Sequence, residues 1–197
     1  MLNYPLKFEP ILKHKIWGGS KLRNILNKDS EQENLGESWE ISGVQNDISI
    51  VENGTLKGKS LTELINDYGS DLLGNKISEQ FGSEFPLLIK FIDANTELSV
   101  QLHPHDRLAK ERHNSFGKTE MWYIMQADEG AEINVGFKRN ISEEEYLDHL
   151  EAGKITDLLN FEKVKMAPNI FVSQLYLAVH ADFERTVILY FDFYSIH

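Results

Sequence analysis

The chain has 197 residues, and its 20 lysines and arginines against 31 aspartates and glutamates give a formal net charge of −11. The length suits one domain or a domain and a half, and the acidic balance argues against nucleic acid as a partner, because binding a polyanion needs a basic face. The absence of cysteine excludes disulfides and thiolate zinc sites, so a bound metal would rest on histidine, carboxylate and amide ligands.

No segment of the sequence predicts an association with membranes. The N-terminus lacks the apolar stretch of a signal peptide, and the longest apolar run, TVILYFDFY, is too short to span a bilayer. We therefore expect a cytoplasmic protein, whose oligomeric state the sequence leaves unknown. An anionic small molecule is compatible with the charge, since a few lysines or arginines in a pocket outweigh a distant negative field.

The N-terminal half predicts short strands followed by helices. Residues 1–58 are typical of short antiparallel strands, with a hairpin turn predicted at Asn53-Gly54. A helical insertion follows at about 60–82, where Ser60 and Glu63 form a capping-box pattern ahead of apolar residues at helical spacing.

The chain beyond the insertion predicts mostly strands. FPLLIKFIDA and TELSVQLH read as two strands joined by a turn around Asp93 to Asn95, and DRLAKERH reads as one helical turn. KTEMWYIMQA and AEINVGFK are strands on either side of a turn signal. A helix capped by Ser142 and Glu145 precedes the C-terminal strands FEKVKM, IFVSQLYLAV and TVILYFDFY. The pattern predicts a mainly β fold with antiparallel pairing.

The segment SVQLHPHD at 99–106 places two candidate metal ligands on one face of a strand. Successive side chains of a strand point to opposite faces, so Gln101 and His103 share a face and lie about 7 Å apart along it. A metal ion could bridge an amide oxygen and an imidazole at that spacing. The alternative interpretation is a surface histidine in a polar loop.

The segment KTEMWYI adds a carboxylate and a cation by the same periodicity. Lys118, Glu120 and Trp122 share one face of the predicted strand. If Glu120 faces the cavity that holds Gln101 and His103, three ligands acceptable to zinc converge. The ammonium group of Lys118 would then meet a substrate anion or take part in proton transfer. The alternative is that Glu120 is a strand-edge charge paired with Lys118.

Four stretches of the sequence occur together in one order: KIWGG at 15–19, GESWEIS at 36–42, FPLLIKFIDANTELSVQLHPHD at 85–106 and GKTEMWYI at 117–124. Over roughly residues 5–165 the chain thereby resembles the type I mannose-6-phosphate isomerases (phosphomannose isomerases), zinc enzymes of the cupin fold, and in particular their compact bacterial branch. The resemblance implies a mainly β cupin, a jelly-roll-like antiparallel β fold with helical insertions. Its catalytic core would cover residues 1–165, with the helical insertion at about 60–82.

The resemblance also implies a site and an activity. Gln101 and His103 look like two ligands of one zinc ion per chain, and Glu120 looks like the third. Lys118 looks like the active-site lysine. The implied activity is an aldose–ketose isomerase that interconverts mannose 6-phosphate and fructose 6-phosphate through a metal-stabilised enediol, so the expected partner is a small-molecule sugar phosphate.

Three further residues lie in the matching motifs without being implied as ligands. Trp17 and Glu40 are interpreted as structural or cavity-lining residues. His105 lies within the HPxD motif, between Pro104 and Asp106, and is interpreted as an exposed turn histidine.

The agreement with the family weakens in residues 166–197, which we interpret as divergent strands that replace the family's continuation. His180, in the sequence Val179-His180-Ala181, is the candidate fourth zinc ligand, and the alternative is a histidine at the end of a strand. The Pro-Ala-Gly turn that precedes this ligand in the family is absent, and Arg185 matches no family arginine by motif. The change after Lys165 suggests a truncation, a frameshifted end or a divergent variant.

Three functional hypotheses follow from these observations. The first is the isomerase. The second is a truncated, non-catalytic cupin that binds metal or sugar phosphate only weakly. The third is another metal-dependent cupin activity, such as an oxygenase or an epimerase. The third is disfavoured because the paired motifs are more specific than the cupin fold, which by itself does not determine a reaction.

Overall fold

A computed structural model of the chain describes residues 4–98, 100–114, 117–164, 169–172, 177–179 and 186–194. The strands are β1 (Ile11–Gly19), β2 (Leu35–Ser42), β3 (Leu87–Ala94), β4 (Val100–Leu102), β5 (Lys118–Gln126), β6 (Glu132–Phe137), β7 (Leu159–Lys163), β8 (Asn169–Val172), β9 (Leu177–Val179) and β10 (Thr186–Tyr194). The helices are α1 (Lys21–Asn24), α2 (Leu61–Tyr68), α3 (Ser70–Leu73), α4 (Asn75–Phe81), α5 (Asp106–His113) and α6 (Glu143–Glu151).

The strands form two sheets in which neighbouring strands run antiparallel, as the sequence predicts. The larger sheet has the order β1-β2-β3-β10-β5-β8, and the smaller sheet has the order β4-β9-β6-β7. The core lies between them, because Ile92, Trp122 and Ile124 of the larger sheet pack in one buried cluster with Ile133 of the smaller. Burial of these large apolar side chains, each at most 2% exposed, holds the two sheets together.

The C-terminal strand β10 lies in the middle of the larger sheet. It pairs with β3 from Thr186↔Ala94 to Phe193↔Leu87, and with β5 on its other edge from Val187↔Gln126 to Tyr194↔Lys118. The segment TVILYFDFY therefore has a hydrogen-bonding neighbour on both edges, which removes the aggregation hazard of an unpaired apolar strand. The proposed division of the chain at residue 165 stays a prediction.

Several sequence predictions about local structure are confirmed. Ser60 and Glu63 form a reciprocal capping box at the start of α2. The side chain of Ser142 accepts a hydrogen bond from the backbone N–H of Glu145 at the start of α6. The carboxylate of Glu145, however, pairs with Arg139 and so takes no part in a reciprocal box. Within the described chain, each helix is too short or too polar to cross a bilayer.

Two predicted turns and one predicted helix differ from the structure. Asn53-Gly54 is not a two-residue hairpin, because the chain reverses over a longer loop in which the Asn53 amide group bonds the backbone of Pro5 and Lys7. The helix α5 has two turns rather than one. The predicted turn at Asp93 begins later, since β3 continues to Ala94 and Asp93 is a buried strand residue.

Asp93 is buried because it holds the start of α1 against the sheet. Its carboxylate accepts a hydrogen bond from the backbone N–H of Lys21 at 2.6 Å, and the side chain is 1% exposed. Gly19 leaves room for this contact, since a Cβ there would lie 2.5 Å from the carboxylate. Burial raises the pKa of Asp93, and the hydrogen bond and positive charge of Lys21 offset only part of that effect.

We expect Asp93→Asn to change how stability depends on pH. Because the pKa of Asp93 is raised in the folded chain, its contribution to stability falls as the pH rises above about 4, the ordinary pKa of aspartate. Asparagine does not ionise, so the variant should gain stability relative to the wild type as the pH rises. Urea unfolding of both chains from about pH 4.5 to about pH 8 measures this difference.

The matched control for this experiment is Asp71→Asn, which makes the same chemical change at an exposed position in α3. The control should keep a constant offset from the wild type across the pH range. A difference between Asp93→Asn and the wild type that stayed constant or shrank with rising pH would contradict the prediction.

Candidate active site and metal centre

Three polar side chains meet where the loop after β4 passes the first residues of β5. The Glu120 carboxylate Oε1 lies 2.7 Å from the Lys118 ammonium Nζ and 3.2 Å from the His103 ring nitrogen Nε2. The Lys118 Nζ and the His103 Nε2 are 3.5 Å apart. Glu120 is 3% exposed, so its carboxylate sits in a site from which water is largely excluded. The structure thus brings together three of the five predicted site residues.

The alternation of side chains in β5 follows the sequence prediction. Glu120 and Trp122 are both buried, and Trp122 packs in the core between the sheets. Tyr123, on the opposite face, is 37% exposed. The face of β5 that carries Lys118 and Glu120 is therefore the face turned towards the core.

A hydrogen bond joins the segment SVQLHPHD to the segment GKTEMWYI and fixes the distance between them. The Asp106 carboxylate accepts a hydrogen bond from the backbone N–H of Gly117 at 2.8 Å, which ties the start of α5 to the start of β5. His105 is the N-cap of α5, and its Nδ1 accepts a hydrogen bond from the backbone N–H of Leu108. His105 was predicted as an exposed turn residue, but it is partly buried and caps the helix that follows the candidate ligands.

We expect Gly117→Ala to loosen this junction. A Cβ at residue 117 would lie 2.6 Å from the backbone nitrogen of Asp106 and 2.8 Å from the carbonyl carbon of His105. Backbone atoms cannot move aside as a flexible side chain can, so the start of β5 must shift, at an expected cost of about 2 kcal/mol in the free energy of unfolding. Urea unfolding measures the loss, and a change below about 0.5 kcal/mol would contradict the prediction.

The donor set at this site fits a zinc ion. An imidazole nitrogen and a buried carboxylate oxygen converge, and both are ligand types that zinc accepts. Gln101 lies two residues before His103 in β4, where its backbone pairs with Ala178 of β9. The Gln101 side chain and the whole of His180 lie outside the described part of the chain. Among the described residues, no three His, Asp or Glu side chains form a group that could hold a metal.

A second polar cluster, which no local sequence pattern predicted, lies on the same face of the larger sheet. Trp39 of β2 pairs with Lys90 of β3, and the position of Lys90 is aligned through β10 with that of Trp122. Directly paired residues of an antiparallel sheet share a face, so Trp39 and Lys90 face the same side as Glu120. The strands of Lys90 and Glu120 are two positions apart, or roughly 10 Å across the sheet, and Trp39 lies one strand further away.

Glu37 is the centre of this second cluster. Its carboxylate accepts a hydrogen bond from the Trp39 indole N–H at 2.7 Å and pairs with the Lys90 ammonium at 3.1 Å. Burial raises the pKa of Glu37, but the charge of Lys90 and the hydrogen bonds from Trp39 and Lys90 outweigh it, so the pKa lies below its usual value. Glu37 therefore stays ionised at neutral pH although it is only 7% exposed.

The two remaining motif residues lie on different sides of the larger sheet. Trp17 packs against the buried cluster between the sheets. Glu40 pairs with Lys28 at 2.7 Å and accepts a hydrogen bond from Ser38 at 2.6 Å. Because Glu40 is adjacent to Trp39 in β2, it points away from the face that carries Glu120.

Comparison with known proteins places these observations in a family. Residues 6–149 match the model of the catalytic domain of type I phosphomannose isomerase. The chain is 42% identical over 168 residues to a mannose-6-phosphate isomerase of Streptococcus mutans, covering 85% of this chain and 51% of that protein. It is 35% identical over 189 residues to a probable mannose-6-phosphate isomerase of Bacillus subtilis, covering 95% of this chain and 58% of that protein.

The solved structures agree with the sequence comparisons. The crystal structure of a mannose 6-phosphate isomerase from Bacillus subtilis superimposes with a TM-score of 0.87 at 32% identity, over 98% of this chain and 60% of that one. This chain spans about half the length of the curated relatives it matches. On the family match and these identities, the chain belongs to the type I phosphomannose isomerase family.

Proposed function

We propose that the chain is a zinc-dependent aldose–ketose isomerase that interconverts mannose 6-phosphate and fructose 6-phosphate. The observation that carries this proposal is the meeting of His103, Lys118 and Glu120 within 3.5 Å in a member of the phosphomannose isomerase family. The motif resemblance adds Gln101 and His180 as the remaining ligands. The proposed small-molecule partner is a sugar phosphate, with neither nucleic acid nor a membrane involved.

The fold that we propose for this activity is a cupin. Two antiparallel sheets around one apolar core support that assignment. Residues 1–165 would form the catalytic core and residues 166–197 its divergent C-terminal strands. We propose a cytoplasmic location, because the implied substrates are phosphorylated metabolites.

The reaction moves a proton between two neighbouring carbons of the open-chain sugar. A base removes the proton from C2 of the aldose, and a proton is returned to C1. The hydroxyl proton passes from the oxygen on C2 to the oxygen on C1, so the carbonyl group moves from C1 to C2. When bound by Gln101, His103, Glu120 and His180, zinc would supply a Lewis acid that polarises the carbonyl and hydroxyl oxygens.

The ammonium group of Lys118 contributes positive charge where the substrate oxygens become negative. Glu120 holds this ammonium at 2.7 Å, so its position is fixed before the substrate arrives. A preorganised cation in a site of low water content stabilises developing negative charge more than one in bulk water.

The test is turnover of mannose 6-phosphate by the purified chain with stoichiometric zinc. Formation of fructose 6-phosphate, followed by NMR, would support the isomerase. A folded, zinc-loaded chain without turnover would support the non-catalytic alternative.

A further inference from the structure

We propose that Asp106 is a positioning residue that sets the distance between the segments SVQLHPHD and GKTEMWYI, and thereby both zinc affinity and turnover. This inference rests on the proposed isomerase function. Asp106 would touch neither the metal nor the reacting carbons. It would act through the backbone of Gly117, whose N–H donates to its carboxylate, on the side chains of Lys118 and Glu120.

The two halves of the candidate site belong to different sheets. Gln101 lies in β4, at the edge of the smaller sheet, and His103 directly follows that strand. Lys118 and Glu120 lie in β5, which has neighbours on both sides in the larger sheet. Among the described strands, β4 pairs with β9, whereas β5 pairs with β10 and β8. These backbone ladders fix each half within its own sheet, so the distance between the halves depends on contacts from one sheet to the other.

The hydrogen bond from the Gly117 N–H to the Asp106 carboxylate spans the two halves. Asp106 lies three residues after His103, and Gly117 lies three residues before Glu120. The bond is 2.8 Å long, and Gly117 is buried. A hydrogen bond to an ionised acceptor is stronger than a neutral one, particularly where water is excluded. The bond therefore constrains the chain close to the His103 and Glu120 side chains, which are 3.2 Å apart.

The start of α5 supports the Asp106 carboxylate in this position. His105 is the N-cap, since its Nδ1 accepts a hydrogen bond from the Leu108 N–H at 3.3 Å and its carbonyl oxygen accepts one from the Ala109 N–H at 2.9 Å. The helix is thus capped by a different side chain, and the Asp106 carboxylate reaches back to Gly117. Ala109 is buried, so α5 packs against the body of the protein on that side. A helix held at its cap and along one face is a firm support for the carboxylate.

The close approach of the chain at residue 117 leaves little freedom in this distance. A Cβ on Gly117 would lie 2.7 Å from the Asp106 carboxylate oxygen, so the contact depends on the absence of a side chain. The adjacent Lys118 ammonium lies 3.5 Å from the His103 ring nitrogen. A displacement of about 1 Å at the junction is large relative to that spacing, and misplacement of this size is known to cost enzymes much of their rate.

The experiment compares Asp106→Ala with Asp106→Asn in the full chain. Alanine removes the acceptor, whereas asparagine keeps an acceptor oxygen at the same distance from the backbone but carries no charge. Hydrogen exchange of the Gly117 amide in the zinc-free chain reports the bond itself, and zinc affinity and kcat for mannose 6-phosphate report the site. Ser60→Ala is the control for a general loss of stability, because it removes the capping box of α2 in the helical insertion.

We expect Asp106→Ala to speed exchange of the Gly117 amide, to weaken zinc binding and to lower kcat, each by about tenfold or more, as for other groups that orient metal ligands. Asp106→Asn should stay within about threefold of the wild type in all three, because the acceptor is retained. Ser60→Ala should lower stability and leave zinc affinity and kcat unchanged.

Three results would overturn the proposal. The first is a folded Asp106→Ala chain with wild-type zinc affinity or an unchanged Gly117 exchange rate. The second is an equal loss of zinc affinity in Ser60→Ala, since general instability would then explain the effect. The third is an Asp106→Asn chain as impaired as Asp106→Ala, because the charge of the carboxylate would then matter rather than the bond to Gly117.

The outcome can be separated from that of the proposed function. If the wild type binds zinc without turnover, the isomerase proposal fails, and zinc affinity decides the role of Asp106. If the wild type binds no zinc, both proposals fail. Should Asp106→Ala not fold, the wild type decides: a Gly117 amide protected from exchange in the folded, zinc-free chain supports the proposal, and an unprotected amide overturns it.

Discussion

Glu120→Gln is expected to abolish both zinc retention and turnover of mannose 6-phosphate. Glutamine has nearly the same shape, so the substitution removes the negative charge without opening a cavity. The carboxylate is 3% exposed and lies 3.2 Å from the His103 ring nitrogen, so a metal at this point depends on its charge. Replacement of a group that only hydrogen-bonds to a metal ligand costs about 10–100-fold in metal affinity, so loss of the ligand itself should cost more than about 100-fold.

Equilibrium dialysis with zinc, followed by metal analysis of the protein, measures the change in affinity, and the isomerase assay measures turnover. Glu144→Gln is the matched control, because it removes the same charge from an exposed position on α6. The control should retain one zinc ion per chain. Stoichiometric zinc in a folded Glu120→Gln chain would contradict the assignment of Glu120 as a ligand.

Lys118→Met is expected to remove turnover while sparing zinc binding. Methionine retains the apolar part of the side chain, but the ammonium group that lies 2.7 Å from Glu120 and 3.5 Å from His103 is lost. If this cation stabilises the enediolate or takes part in proton transfer, its loss should lower kcat by about 10²–10⁴-fold. Zinc affinity should hold or rise, because a positive charge next to the metal is removed.

The combination of two measurements gives this prediction its specificity. Lys110→Met, which removes an exposed lysine from α5, should change neither kcat nor zinc affinity. If Lys118→Met retained wild-type kcat, Lys118 would have no part in the chemistry. If it lost zinc together with activity, the lysine would act by holding the metal site together rather than by stabilising the substrate.

The structure links the C-terminal segment to the proposed site. The strand β10 pairs with β5 along the stretch that contains Lys118 and Glu120, with Asp192 opposite Glu120 and Tyr194 opposite Lys118. The backbone of β5 at the site therefore has β10 as its hydrogen-bonding neighbour on one edge. Changes to residues 186–194 are expected to reach the site through this pairing.

Much of the site was predictable from local sequence patterns. The alternation in KTEMWYI placed Lys118 and Glu120 on one face of β5, and their burial pattern agrees with that prediction. Capping residues at Ser60 and Ser142 located the starts of two helices. These signals are readable because the 2-residue period of a strand and the capping of a helix depend only on neighbours along the chain.

Other features required contacts between distant segments. Asp93 has the sequence context of a turn, but its carboxylate accepts the N–H of Lys21, which is 72 residues away. The run IFVSQLYLAV looks like one strand, yet β8 joins the larger sheet and β9 joins the smaller. The tie between Asp106 and Gly117 likewise depends on how two segments approach, and a local pattern carries no information about that approach.

The sequence by itself determined the strand-rich character, the polar faces that carry the candidate ligands and the family. The tertiary structure decided the order of the strands, the position of β10 and the convergence of Glu37, Trp39 and Lys90. The physical reason is that periodicity assigns a side chain to a face, whereas register assigns it a neighbour. Register is set by the pairing of strands far apart in the chain and by irregularities such as the one between Trp39 and Ile41.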